Sequence, residues 1–327
     1  MKILVTGGAG FIGSHLVDKL LELGYDVYVI DNLSSGRLEN IKYCLSSRNC
    51  FFEKCDLKEP NCLERFNSVN IDLIIHLAAN PDVKASYYDP ETNYNENIYV
   101  SFRVLEFARK KGVKRFFFAS SSTVYGDAEK IPTPEDHSIK PISIYGACKA
   151  AVEVLTISYS NSYKIKSLIL RLANIIGPRS THGVIYDFIR KLSRTPDTLE
   201  ILGDGSQRKS YLYISDTVDA IIKLIGYIDD MEYLYDVFNI GNEDWITVNE
   251  IADVVIETMR LGNVKKIYRP ATLDGRGWIG DVKFMLLDIS KIKKRIGWKP
   301  SMNSRRAVEE TAKYLIEETV KTRSEDS

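Results

Sequence analysis

Short apolar runs alternate with periodic apolar–polar segments along the first half of the chain. The runs at residues 2–5, 26–30, 72–76, 115–119 and 166–170 predict buried strands, and segments near 12–23, 92–111 and 146–162 predict helices between them. Parallel strands need a crossover connection, usually a helix. This alternation therefore predicts an α/β fold with a doubly wound parallel sheet.

The second half of the chain is less regular. Helices are expected at 184–192, 215–227, 248–259 and 304–320, with a strand at 235–240. The region around 211–240 should return to the first sheet, which would interleave two domains. We expect one domain of residues 1–174 plus 211–240, and a smaller C-terminal α/β domain of residues 175–210 plus 241–327.

The charge balance bears on possible partners. The chain has 44 basic and 44 acidic residues, which gives a formal net charge of zero, and these residues are scattered. We therefore expect neither nucleic acid nor a membrane surface as a partner. No apolar stretch approaches the roughly 20 residues of a membrane helix. The first predicted strand begins at Lys2, so we expect no signal peptide and a cytoplasmic location.

The cysteines give little indication of a metal or a disulfide framework. There are five of them: Cys44, Cys50, Cys55, Cys62 and Cys148. An odd number with irregular spacing argues against paired cysteines, and the absence of a C-x-x-C motif argues against zinc. We expect reduced thiols and no metal.

The most specific local signal is a glycine-rich turn directly after the first strand. The sequence TGGAGFIG places Gly7, Gly10 and Gly13 before and within the start of a helix. Glycines in this context permit a tight turn and let backbone N–H groups approach a pyrophosphate at the helix N-terminus. The pattern predicts a dinucleotide site that also includes Phe11 and Ile12.

An acidic residue follows the second strand, where it can select the cofactor. Asp31, next to Asn32, lies about 20 residues beyond the glycines. Its carboxylate would accept hydrogen bonds from ribose hydroxyls and repel a 2′-phosphate, which favours NAD over NADP. Arg37 lies nearby and would weaken that preference, and a purely structural role for Asp31 in a turn stays open.

Two further groups lie at carboxyl ends of predicted strands, where open sheets bind ligands. Asp56 and Leu57 follow a further strand candidate between the runs at 26–30 and 72–76, and Leu77, Ala78 and Ala79 follow the run at 72–76. The small side chains at 78 and 79 would let a cofactor lie against the backbone. Ordinary packing is the alternative interpretation for both groups.

A tyrosine and a lysine provide the candidate chemistry. Tyr145 and Lys149 are four residues apart, so they share one face of a predicted helix. The ammonium group should lower the pKa of Tyr145 toward neutral pH, and a positive nicotinamide ring would add to this effect. The phenolate could then remove a proton from a sugar hydroxyl as hydride leaves the same carbon. A surface pair is the alternative.

A hydroxyl among Ser120, Ser121 and Ser122 could bond to the same substrate oxygen, although some of these serines would simply terminate a strand. No histidine is suitably placed for a Ser-His-Asp hydrolase.

Taken together, these motifs resemble the extended short-chain dehydrogenase/reductases, most closely the UDP-glucose (UDP-galactose) 4-epimerases. The resemblance covers nearly the whole chain. It rests on TGGAGFIGSHL at 6–16, DNLSSGR at 31–37, CDL at 55–57, HLAA at 76–79, SSSTVYGD at 120–127, YGACK at 145–149, RLANIIGPR at 171–179 and GDGSQRKSYLYISD at 203–216. It implies a Rossmann-type fold, NAD as cofactor, a nucleotide sugar bound by the smaller domain, and a homodimer.

The resemblance also implies roles by position. Tyr145 would be the catalytic base, Lys149 its activating partner and a ribose ligand, and Ser121 the catalytic hydroxyl. The implied cofactor site adds Ser35, Gly36, Asn97 and Leu172, and the implied substrate site contains Ser121, Ser122, Asn174, Arg208, Lys209, Arg276 and Met285.

Three of these positions differ from the family pattern or set its specificity. The family usually has Arg where Lys209 aligns, and Lys cannot form the bidentate fork, so Arg208 is an alternative phosphate ligand. Arg276 resembles the second phosphate clamp, with a longer spacing to Asp281. A solvated face is the alternative for these cations. Met285 aligns near the position that limits the C2 substituent.

The type of reaction is indicated by residues that are missing. Related 4,6-dehydratases carry an Asp-Glu pair where this chain has Ser122-Thr123, and related decarboxylases typically have a Glu in that stretch. The resemblance therefore favours oxidation and re-reduction at C4, as in a UDP-glucose 4-epimerase. Open alternatives are an epimerase of UDP-N-acetylhexosamine or UDP-uronic acid, a nucleotide-sugar decarboxylase or dehydratase, and a catalytically silent NAD-binding scaffold or sensor.

Overall fold

A computed structural model describes residues 1–325 of the chain. Its strands are β1 (Lys2–Thr6), β2 (Asp26–Asp31), β3 (Cys50–Lys54), β4 (Leu73–His76), β5 (Arg115–Ser121), β6 (Lys166–Leu172), β7 (Asn174–Ile176), β8 (Thr198–Leu202), β9 (Arg208–Lys209), β10 (Tyr211–Tyr213), β11 (Tyr235–Ile240), β12 (Ile246–Thr247), β13 (Lys265–Arg269) and β14 (Phe284–Met285). Its helices are α1 (Phe11–Glu22), α2 (Lys42–Ser46), α3 (Ala85–Tyr88), α4 (Pro90–Asn93), α5 (Val100–Lys111), α6 (Ile144–Tyr163), α7 (Val184–Leu192), α8 (Ile214–Tyr227), α9 (Val248–Thr258), α10 (Ser290–Ile296) and α11 (Ser304–Glu325).

Seven strands form one parallel sheet in the order β11-β6-β5-β4-β1-β2-β3. All six pairings are parallel, as the alternation of strands and helices predicts. The sheet confirms the predicted doubly wound α/β fold of Rossmann type. Strand order changes direction at β1 and β4, and ligands bind at such a switch point, beyond the carboxyl ends of the strands.

Apolar clusters cover both faces of this sheet. One face packs against α1 and α8, and the other packs against α5 and α6. A third cluster lies outside the sheet, among α7, α9, α11 and β8. Buried strands read as continuous apolar runs because helices cover both faces, which is why the strand positions were readable from sequence.

The segment predicted as one helix at 92–111 is composite. Asp89 caps α4, a π-helical segment follows at Tyr94–Tyr99, and α5 completes the helix. Asn97 lies in the π-helical segment and is 1% exposed. Its side-chain oxygen accepts a hydrogen bond from the Asn80 backbone N–H at 3.2 Å, which links this helix to the loop after β4.

The second half of the chain forms small sheets. β7 pairs with β10, β9 pairs with β12 and β14, and β8 pairs with β13. Of the region 211–240, β11 joins the large sheet as expected, whereas β10 pairs with β7 outside it. The division into domains of residues 1–174 plus 211–240 and residues 175–210 plus 241–327 stays a proposal.

The expectation of reduced cysteines is wrong. Cys44 is joined to Cys50 and Cys55 to Cys62 as disulfides, and Cys148 is a buried free thiol. Each pair is close in sequence, and the fold brings the Cα atoms to 5.1 Å and 5.7 Å of each other, within the range a disulfide spans. The prediction failed because irregular spacing along the chain does not report separation in space.

Every helix within residues 1–325 is too short or too polar to cross a bilayer.

Candidate active site

A cavity of about 470 Å³ opens at the carboxyl ends of the central strands. Its size is that of a typical small-molecule site. It brings together most of the residues predicted from sequence: Gly7, Gly10, Phe11, Ile12, Gly13, Asp31, Asn32, Ser35, Asp56, Leu57, Leu77, Ala78, Ala79, Ser121, Ser122, Tyr145, Lys149, Leu172, Asn174, Lys209 and Met285. Four predicted residues do not line it: Gly36, Asn97, Arg208 and Arg276.

The glycine-rich turn forms its part of the cavity from backbone alone. Gly7 has a φ of +70°, and a Cβ at this position would lie 2.8 Å from the Cα of Ala78. A Cβ on Gly13 would overlap the carbonyl oxygen of Gly7. Helix α1 begins at Phe11 with no side-chain cap, so its first N–H groups are free for an anion. This is the geometry that a pyrophosphate requires.

The carboxylate of Asp31 lies at the end of β2. It accepts hydrogen bonds from the backbone N–H groups of Ala9, at 2.9 Å, and Leu33, at 2.8 Å. Burial raises its pKa, although these backbone bonds act in the opposite direction. A Cβ on Gly36 would lie 2.9 Å from Asp31 Oδ1, so the glycine, which does not line the cavity, leaves room for this carboxylate. The remaining oxygen lone pairs can accept ribose hydroxyls.

Helix α6 positions the catalytic candidates. Ser143 caps it by accepting a hydrogen bond from Gly146 N, so Tyr145 lies in the first turn. The Lys149 Nζ donates to the carbonyl of Ala119 at 2.8 Å and lies 5.7 Å from the centre of the Tyr145 ring. An interaction with the side chain of Ser121 lowers the pKa of Tyr145, so the two hydroxyl groups lie near each other. The structure therefore brings the three predicted catalytic groups into one place.

The predicted effect on the pKa of Tyr145 is wrong for the protein alone. Burial raises the pKa of Tyr145 to about 12, and the interaction with Ser121 offsets this only in part. Burial also lowers the pKa of Lys149 to about 8. Desolvation penalises both charged forms, and it is the largest cause of both pKa shifts. A positive ring in the cavity would be needed to favour the phenolate.

A buried ion pair fixes α6 to the sheet, and sequence reasoning missed it. Glu153 and Arg171 are joined by a contact of 2.7 Å, and their side chains are 1% and 5% exposed. Ser120 donates to Glu153, and Arg171 also donates to Tyr125 OH. The sequence does contain one indication that Glu153 is buried. It lies four residues after Lys149 and therefore on the same helix face as the predicted catalytic pair.

Donors without partners distinguish the other side of the cavity. The buried atoms Asn174 Nδ2, Arg179 Nη1 and Trp278 Nε1 have no hydrogen-bond partner, and all three residues line the cavity. Arg179 and Trp278 were not singled out from the sequence. Lys209 forms an ion pair of 2.5 Å with Asp281, which is 2% exposed.

The predicted phosphate ligands Arg208 and Arg276 lie elsewhere. Both terminal nitrogens of Arg276 donate to Asp127, each at 2.9 Å, and its Nε donates to Asp274. Arg208 is exposed, with its guanidinium 5.8 Å from the ring of Trp245. Arg276 Nη1 also donates to the carbonyl of Asp281 at 2.6 Å, so all of its guanidinium nitrogens are engaged by the protein. The sequence motif could not show the contact with Asp127, which is 149 residues away.

A parallel sheet with a glycine-rich first turn, an acid at the end of the second strand and a Ser–Tyr–Lys set is the arrangement of a dinucleotide-dependent enzyme. The model of the NAD dependent epimerase/dehydratase family matches residues 3–241, and the chain belongs to this family. The predicted class of enzyme and its cofactor, NAD, are confirmed.

Similar proteins match nearly the whole length of the chain. It is 32% identical over 318 residues to a putative UDP-glucose 4-epimerase of Methanocaldococcus jannaschii, covering 96% of this chain and 98% of that one. A solved UDP-galactose 4-epimerase is 46% identical, with a TM-score of 0.86 over 97% of this chain and 99% of that one. The Thermotoga maritima UDP-glucose 4-epimerase, solved with UDP-glucose, is 36% identical, with a TM-score of 0.85 over 98% and 100%.

Proposed function

We propose that this enzyme is a nucleotide-sugar 4-epimerase that interconverts UDP-glucose and UDP-galactose. The observation that carries the proposal is the single cavity in which Ser121, Tyr145 and Lys149 meet both a pyrophosphate-binding turn and a set of unpartnered donors. The turn would hold the pyrophosphate of a dinucleotide and the free donors would hold the diphosphate of a nucleotide sugar, which would bring the two reacting ends together. The names of the relatives support UDP as the nucleotide.

The cofactor would lie on the residues of the first domain. Backbone N–H groups at the start of α1 hold the pyrophosphate, and Asp31 binds the adenosine ribose. Lys149 binds the second ribose, and Leu172 borders the ring. When bound, NAD supplies a hydride acceptor and a positive charge beside the phenol of Tyr145.

The chain's own residues then move the proton. Tyr145 Oη removes the proton of the sugar 4-hydroxyl, while Ser121 bonds to the same oxygen. Lys149, positive below its pKa of about 8, stabilises the phenolate form. The 4-keto sugar then rotates about its diphosphate. When the opposite face of the sugar lies against the cofactor, Tyr145 returns the proton to the sugar oxygen. Asn174 and its neighbours hold the diphosphate meanwhile.

Dehydration and decarboxylation are disfavoured because the acids in the cavity wall already have partners. Within residues 1–325, four acidic residues line the cavity: Asp31, Asp56, Glu96 and Asp281. Each is occupied: Asp31 by backbone N–H groups, Asp56 and Glu96 by Lys58, and Asp281 by Lys209. Ser122 and Thr123 stand where an additional acid would have to act. We propose in addition that Met285, 7% exposed, limits the size of the C2 substituent.

A homodimer in the cytoplasm completes the proposal. Tyr99, Phe102 and Val154, on the π-helical segment, α5 and α6, are 39%, 41% and 60% exposed, and a second copy would cover them. Light scattering of the purified protein would test the dimer.

The experiment that tests the function measures turnover. Purified enzyme should convert UDP-galactose to UDP-glucose with no added reductant, and NMR should identify the product. Tyr145→Phe should lower kcat about 10³-fold because it removes the proton acceptor, while UDP affinity stays the same. Full activity in Tyr145→Phe, or no turnover of any UDP-hexose by the wild type, would contradict the proposal.

A further inference from the structure

The unpartnered polar atoms around the cavity share one chemical character. Asn174 Nδ2, Arg179 Nη1 and Trp278 Nε1 are all N–H donors, and all belong to residues in the cavity wall. The other two buried atoms without partners in the described part of the chain, Asp18 Oδ1 and Gln207 Oε1, are acceptors and belong to residues that do not line it. Asp18 is the ion-pair partner of Arg179, whose Nη2 donates to Asp18 Oδ2 at 2.7 Å, so, of the three, Asn174 and Trp278 are the lining residues whose donors are entirely free of a protein acid. A buried donor left unpaired costs about 1–3 kcal/mol. The cavity is therefore complementary to a ligand that only accepts hydrogen bonds, as phosphate oxygens do.

Trp278 is held in the wall by its neighbours. Lys209 Nζ lies 5.3 Å from the centre of its ring. Asp281 donates its backbone N–H to the carbonyl of Trp278 at 3.2 Å, and accepts from Gly277 N at 3.3 Å. A ring fixed on its face and through its backbone presents its Nε1–H in one direction, so the donor is ordered before a ligand arrives.

The charge of Lys209 is already compensated. Its ammonium forms the ion pair with the buried Asp281, and the two side chains are 17% and 2% exposed. If Lys209 left this pair to bind a phosphate, Asp281 would remain buried and unpaired, which is costly. Arg276 is likewise engaged by Asp127 and Asp274. The group that this segment offers to a ligand is therefore the indole N–H.

We propose that Trp278, rather than Arg276, is the diphosphate ligand that residues 274–282 contribute, and that it donates its Nε1–H to a diphosphate oxygen beside Asn174. This inference rests on the proposed function, because it requires a nucleoside diphosphate in the cavity. The uncharged indole N–H would orient the diphosphate without adding net charge to the site. In this arrangement the Lys209–Asp281 pair positions the indole and does not bind the phosphate.

The test follows the indole N–H itself in the full-length protein. The chain has three tryptophans, Trp245, Trp278 and Trp298, so ¹⁵N-indole labelling gives three resonances. Trp298 Nε1 already donates to the carbonyl of Asp216 at 3.1 Å and is an internal control. On titration with UDP alone, the Trp278 resonance should move downfield and the Trp298 resonance should stay in place.

Two matched variants complete the experiment. Trp278→Phe keeps an aromatic ring over Lys209 but removes the donor, and should weaken UDP binding about tenfold in calorimetry. Trp245→Phe, outside the cavity, should bind UDP as the wild type does. If Trp278→Phe does not fold, the Trp278 resonance can still be assigned by elimination. Trp245→Phe identifies the Trp245 resonance, and slow solvent exchange identifies that of the buried Trp298.

The outcomes separate this inference from the proposed function. If UDP binds the wild type but leaves the Trp278 resonance unmoved, or if Trp278→Phe binds UDP normally, the inference is overturned and the function stands. A shift that needs UDP-glucose and is absent with UDP also overturns it, because the contact would then be to the sugar. If UDP does not bind the wild type at all, both fall.

Discussion

The two sides of the cavity are built in different ways. The proposed cofactor side consists mainly of backbone: the glycine-rich turn, the start of α1 and the ends of β2 and β4. The Asp31 carboxylate at the end of β2 already accepts two backbone hydrogen bonds. The substrate side consists of side chains from distant segments, and it retains three donors without partners. A backbone site is specified by a short stretch of sequence, whereas a side-chain site depends on contacts that the sequence does not list.

The largest expected effect on ligand binding lies on the backbone side. Gly13→Ala would place a Cβ against the Gly7 carbonyl oxygen, and the turn could relax only by moving the N–H groups that meet the pyrophosphate. We expect NAD affinity to fall at least about 100-fold, equivalent to about 3 kcal/mol. Calorimetry with NAD measures this. Gly226→Ala, whose Cβ would meet nothing within 4 Å, is the control, and normal NAD binding by Gly13→Ala would remove the backbone account.

A smaller effect is expected on the side-chain side. Asn174→Ala removes one unpartnered donor, and UDP affinity should fall about tenfold, because a hydrogen bond to a charged group contributes about 1.5 kcal/mol or more. NAD affinity should not change. Asn161→Ala, an exposed position on α6, provides the matched control. An equal loss of NAD and UDP affinity would show that the two sides are not separable.

The smallest expected effect is a change in the pKa of Tyr145, which lies where the two sides of the cavity meet. Burial raises the pKa of Tyr145 to about 12, so the phenol is protonated at neutral pH in the protein alone. A positive ring nearby favours the phenolate, so this pKa should be lower with NAD⁺ bound than with NADH bound. Phenolate absorbance during a pH titration, with Tyr145→Phe subtracted, measures the difference. Identical titration curves for the two cofactor forms would exclude nicotinamide as the source of activation.

The sequence predicted what depends on local patterns. Strands covered on both faces appear as continuous apolar runs. The turn from Gly7 to Gly13 could be predicted because its close backbone contacts leave no room for a side chain at these glycines. The sequence could not show that Asp127 binds Arg276, since 149 residues separate the two. It also gave the wrong direction for the pKa of Tyr145, because burial is the largest cause of the shift, and burial is a property of the whole fold.

The ion pair between Glu153 and Arg171 has a stereochemical consequence. Leaving one member of such a pair unmatched costs about 3–5 kcal/mol, so α6 does not roll on the sheet during a catalytic cycle. Tyr145, the proposed acid–base group, would therefore stay on one side of the reacting carbon. Inversion must then come from motion of the substrate. A substrate analogue whose sugar is joined to the nucleotide by a rigid linkage would be oxidised once and could return only to its original configuration.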